Sequence, residues 1–182
     1  MSSSNKALLG LAIVAYFFKW FFGLFKKPVP KKIMSIVYKA IAEELQANPN
    51  CQLFTNVKSA ITGETFDCGW LDAGMIPLIS DQGYLLATHG NWDGQVSIGP
   101  DQTGKLIFVD PQDERFTRIW APGTFVTVLS CYPAYRSSIW QENGVTFFNA
   151  SNEPVPVYLP CVNGTVYYCP MPYEVALALK AI

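Results

Sequence analysis

Nineteen consecutive residues near the N-terminus, Ala7 to Phe25 (ALLGLAIVAYFFKWFFGLF), carry a single charge, Lys19. As an α-helix rising about 1.5 Å per residue, such a run reaches roughly 28 Å, close to the thickness of a bilayer's hydrocarbon core. Its apolar residues surround the helix on every side, which does not suit a helix lying flat on a membrane surface. Lys19 stands toward the C-terminal end, where its ammonium can reach the headgroups, and Trp20 suits the same interface. A cleaved signal peptide fits poorly, because Phe25-Lys26-Lys27-Pro28 follows the run instead of a small-x-small site. The expectation is a membrane anchor over 1–26 formed by one transmembrane helix in contact with lipid. A basic, proline-containing linker follows over 27–32, and one folded domain occupies 33–182.

Lys26, Lys27, Lys31 and Lys32 follow the apolar run, against Lys6 and the α-amino group before it. The positive-inside rule then predicts a single-pass protein with its C-terminal domain on the cytoplasmic side, where the sequons at Asn149 and Asn163 would be silent. The chain has 182 residues, of which 50% are hydrophobic, so the part after the anchor can bury one core. Its net charge of -1 gives no electrostatic reason to expect a nucleic-acid partner. Five cysteines leave at least one thiol without a partner in the chain. No two of them form a CxxC pair and there is one histidine, so no metal site and no cofactor are expected.

Ile33, Val37, Ala40, Ile41 and Leu45 recur at helical spacing, which predicts a helix over 33–47, ended by Asn48-Pro49-Asn50. Beyond it the chain is β-like. Tyr84–Thr88, Leu106–Val109, Phe125–Leu129 and Val145–Phe148 are short apolar runs of the kind found in strands buried on both faces. Asn163-Gly164 between VPVYLPCV and TVYYCP predicts a hairpin with a type I′ turn. Its register sets Cys161 opposite Val166 and Cys169 opposite Tyr158. Cys161 and Cys169 then lie on opposite faces, and both are expected to be separate and reduced. A short helix opened by Pro172 is expected over 173–182. The fold class is α/β: a small sheet with flanking helices and a C-terminal β-hairpin, preceded by the transmembrane helix.

Two of these runs end in residues with chemical use. His89, the single histidine, closes LLATHG, and Cys131 closes VTVLSCYP. Side chains at the carboxyl ends of buried parallel strands meet at one edge of the sheet. An imidazole there can take the proton of a thiol and leave a thiolate to attack a carbonyl. Gly90 lets its backbone N–H come close to a substrate, and with the N–H of Cys131 it would form an oxyanion hole. Asp93 and Arg136 are candidates for substrate binding or for orienting His89, although Asp93-Gly94 also reads as a plain turn. Arg118 is a further candidate for holding a substrate carboxylate.

The pair of elements, an apolar strand ending in His-Gly and a later one ending in Ser-Cys 42 positions on, resembles the caspase–hemoglobinase clan of cysteine peptidases. The resemblance covers about residues 84–136. It implies a caspase-like sheet, a thiol protease that cleaves peptide bonds through a thioester, a His89–Cys131 dyad, and a peptide or protein substrate. It departs from the clan in Asp101 to Pro122, which has no helical stripe, and in the short stretch before His89. Other readings stand beside it. A degenerate or non-enzymatic subunit would use the apolar helix to dock with other subunits of a membrane assembly. A sortase-like transpeptidase would use His89, Cys131 and Arg136, but on the outer side of the membrane. Asp67-Cys68 is similar to the NlpC/P60 peptidase motif, with too short a spacing to His89.

Overall fold

The computed structural model describes residues 40, 43, 46–47, 51–66, 74–133, 137–159, 161–172 and 175. The expected anchor and linker, Cys68 and Arg136 lie outside them. Among the described residues no helix is long and apolar enough to cross a membrane. Ala40, Glu43 and Gln46, within the helix expected over 33–47, are helical, as is Val175 in the expected tail helix.

The protein is mostly β-sheet. Its centre is a six-stranded mixed sheet in the order β2 (Lys58–Ser59), β3 (Ile76–Ser80), β4 (Gly83–Ala87), β7 (Phe125–Leu129), β9 (Val145–Asn149), β8 (Ile139–Glu142). The three middle strands, β4, β7 and β9, run parallel, and the outer ones pair antiparallel. The four short apolar runs account for the pattern: three became these parallel strands, and Leu106–Val109 became β6. Leu85, Leu86 and Ala87 of β4 and Val126, Val128 and Leu129 of β7 are fully buried, as strands covered on both faces must be.

The covering layers differ from the expectation. Among the described residues, strands and one helical turn cover the sheet. One face carries Leu78, Leu85, Ala87 and Leu129 against Phe54, Val166 and Tyr168 of a second sheet. That sheet comprises β1 (Gln52–Phe54), β12 (Thr165–Pro170), β10 (Val157–Tyr158) and β11 (Cys161–Val162). The other face carries Leu86, Val126, Val128, Val145 and Phe147 against Val96, Val109 and Phe116. These three come from a hairpin, β5 (Val96–Pro100) with β6 (Leu106–Val109), and a one-turn helix, α1 (Glu114–Thr117). Asp101–Pro122, which has no helical stripe, contributes β6 and one helical turn, and with β5 this segment between β4 and β7 covers the sheet as a hairpin. Asp113 caps α1 and also binds Arg115, whose guanidinium holds the Asp113 carboxyl at about 2, so the cap stays charged in mild acid.

The C-terminal hairpin has the expected register: Val162 pairs Thr165, Cys161 pairs Val166, and Tyr158 pairs Cys169. Asn163 and Gly164 both have positive φ (50° and 75°), as a type I′ turn requires. The expectation of reduced thiols is corrected. Cys169 is bonded to Cys51, and Cys161 is also disulfide-bonded. The register still separates Cys161 from Cys169. It was the pairing of β1 with β12 that supplied the partner: Gln52 faces Tyr168, so Cys51 stands directly across from Cys169, with Cα atoms 4.3 Å apart.

Candidate active site

The parallel register of β4 and β7 sets Ala87 beside Leu129. The ladder runs on, because the Thr88 N–H donates to the Leu129 carbonyl at 3.1 Å. His89 and Cys131 each lie two residues past that pair, so they leave the sheet at one edge on strands about 4.8 Å apart. Side chains alternate along a strand, and Ala87 and Leu129 both face the second sheet. Continued alternation would bring His89 and Cys131, in phase with them, out on that same side. The half-buried Cys131 agrees, since its Sγ lies 3.3 Å from the Val157 nitrogen and 3.7 Å from the Val157 oxygen, both on β10 of the second sheet.

Gly90 ties the two strand ends together. A Cβ placed there would overlap the carbonyl oxygen of Cys131, so the backbones are in direct contact and only glycine fits. Gly90 also forms an antiparallel bridge to Val96. The bonds of that bridge flank it: the Asn91 N–H donates to Gln95 O at 3.1 Å and the Ser97 N–H donates to His89 O at 2.8 Å. Gly90 is therefore the non-bonded residue of the pair, and its own N–H faces away from β5. Gly90→Ala is expected to destabilise the fold by about 1–3 kcal/mol through overpacking, and to displace Cys131. Thermal unfolding together with Cys131 alkylation rates checks this; wild-type behaviour in both would contradict the contact.

Beyond Gly90 the chain turns through Asn91–Gly94. The Asn91 side-chain oxygen accepts from the N–H groups of Asp93 (3.1 Å) and Gln95 (2.9 Å). Asp93 is thus a turn residue with an exposed carboxylate. Trp92, 55% exposed at the same turn, lies 4.1 Å centroid to centroid from Tyr132. Tyr132 directly follows Cys131, is buried, and holds φ at 54°, a conformation that costs a non-glycine residue about 1–3 kcal/mol and is often found beside functional groups. Its N–H donates to Val155 O at 2.9 Å, which helps hold it. Underneath, the buried Tyr168 donates to the carbonyl of Ser130 at 3.2 Å. Burial, with a smaller contribution from Cys131, pushes the Tyr168 phenol far above its ordinary range, so it remains a neutral donor.

Of the residues read from the sequence, Gly90 lies against the Cys131 backbone and His89 precedes it just past the end of β4. The sequence reading missed Val157, Tyr132, Trp92 and Tyr168. Val157 acts through its backbone, which leaves no mark in a motif. Arg118 is exposed at the end of α1. Among the described residues no cluster of His, Cys, Asp or Glu could hold a metal ion. No family model, curated protein or solved structure matches the chain.

Proposed function

We propose that this chain is a membrane-anchored cysteine peptidase-like hydrolase of the caspase–hemoglobinase kind, with Cys131 as nucleophile and His89 as general base. The observation that supports the reading is the parallel register that sets Ala87 and Leu129, two residues before His89 and Cys131, side by side on one face of the sheet. Cys131 carries a thiol, while Cys51, Cys161 and Cys169 are in disulfides. In the reaction the imidazole of His89 takes the thiol proton and Sγ bonds to the scissile carbonyl carbon. The oxyanion so formed faces the N–H groups of Gly90 and Cys131. The amine leaves with the proton from His89, and a thioester remains. Water, deprotonated by His89, then releases the acid and restores the thiol.

A peptidyl acyloxymethyl ketone tests this. The expected result is one adduct per chain, mapped to Cys131 by mass spectrometry. A chain that labels no faster than free cysteine would favour the non-enzymatic subunit, docked through its N-terminal helix.

The anchor over 1–26 and the linker over 27–32 belong to the same proposal. The lysines after the apolar run favour a cytoplasmic domain, whereas the disulfides favour an oxidising compartment. The disulfides weigh more, since such bonds rarely persist in a reducing cytosol and a lysine bias of this size is a statistical preference. The domain is therefore assigned to the oxidising side, which also keeps the sortase-like transpeptidase as a second reading. Protease added outside sealed spheroplasts or intact cells should degrade the domain; complete protection would restore the cytoplasmic assignment.

A further inference from the structure

Val157 presents its backbone to the nucleophile. On β10 it pairs with Pro170 of β12, and the Met171 N–H donates to the carbonyl of Pro156 at 3.1 Å. That bond flanks the pair, so Val157 is a non-bonded position whose N–H and carbonyl point out of the β10–β12 ladder. The N–H points at Cys131 Sγ, 3.3 Å away. We infer that the Val157 amide is a positioning group that stabilises the Cys131 thiolate, the form in which the sulfur attacks. This rests on Cys131 being the nucleophile of the proposed hydrolase.

The chemistry decides the sign. An N–H donor aimed at sulfur is worth more to an anion than to a neutral thiol. The neutral thiol has a compensating contact, S–H to Val157 O, but at 3.7 Å it is the longer of the two. Ionisation, with the proton passing to His89, gives up the weaker bond and strengthens the shorter one. The adjoining chain holds the donor still, because Tyr132 N–H donates to Val155 O at 2.9 Å two residues earlier.

The geometry also makes the amide removable. A proline is tolerated on an edge strand where the N–H lies outside the ladder, so Val157→Pro deletes this donor and spares the β10–β12 bonds. Val157→Ala keeps the donor. The readout is the ultraviolet absorbance of the thiolate against pH, taken as the difference from Cys131→Ala. Alkylation rate is a poorer readout, because nucleophilicity falls as the thiolate becomes more stable. Val157→Pro should cut the thiolate-to-thiol ratio by about 10-fold or more at a given pH, with Val157→Ala unchanged. Should the proline variant fail to fold, the α-hydroxy analogue of valine at 157 replaces the N–H with oxygen without the ring and should give the same shift. Titration identical to wild type in a folded variant would overturn the donor role. Because no substrate is used, a chain without peptidase activity that still shows the shift loses the enzyme reading and keeps the donor.

Discussion

Cys131→Ala is expected to abolish covalent labelling and peptide cleavage, and His89→Ala to slow both by about 10²–10⁴-fold, the usual worth of general-base assistance. The two losses differ in kind. Removing Cys131 removes the atom that carries the acyl group, and the other described cysteines, already in disulfides, cannot take over. Removing His89 leaves a thiol with no second histidine in the chain to replace the base. Both residues are half-buried at the end of a strand, so truncation should leave the core intact. Cleavage of a peptide library, with circular dichroism as the control for folding, measures both. Cleavage that persists in folded Cys131→Ala would remove the dyad from consideration.

The double variant Cys51→Ala with Cys169→Ala is expected to lose about 4–5 kcal/mol of stability. The bond closes a loop of 118 residues, and the chain-entropy model assigns such loops about that much through the unfolded state. Against a usual total of about 5–15 kcal/mol, this is a large share. Replacing both cysteines avoids leaving a thiol that could exchange with Cys131. Chemical denaturation measures the change, and a loss below about 1 kcal/mol would mean that the β1–β12 pairing holds without the cross-link. The effect should reach the site as well, because β12 supports β10, whose Val157 lies against the sulfur.

The parts legible in the sequence were the local ones. Runs such as Leu85-Leu86-Ala87 and Phe125–Leu129 announce strands through unbroken burial, and Asn163-Gly164 sets a register through its turn chemistry. The same chemistry at Asn143-Gly144, with φ of 51° and 76°, joins β8 to β9 and was overlooked because β8 (IWQE) is half polar. What escaped was non-local. No pattern in QLF tells it to pair with Tyr167 and Tyr168 more than a hundred residues on, so the Cys51–Cys169 bond was not foreseen. On the other face Val96, Val109 and Phe116 cover the sheet from two strands and one helical turn. At the site, His89 and Cys131 could be read because strand ends are where parallel sheets collect chemistry. Asp93 sits in the turn that Asp-Gly also announces, and Val157 contributes only backbone.

The most direct test of the account is the rate at which Cys131 reacts with chloroacetamide as pH is raised, in the full-length protein and in His89→Ala. If His89 draws the thiol proton, wild type should react rapidly well below the pH range of a free cysteine. The profile of His89→Ala should then lie at higher pH with a lower rate at neutrality. Superimposable profiles in two folded proteins would contradict the dyad.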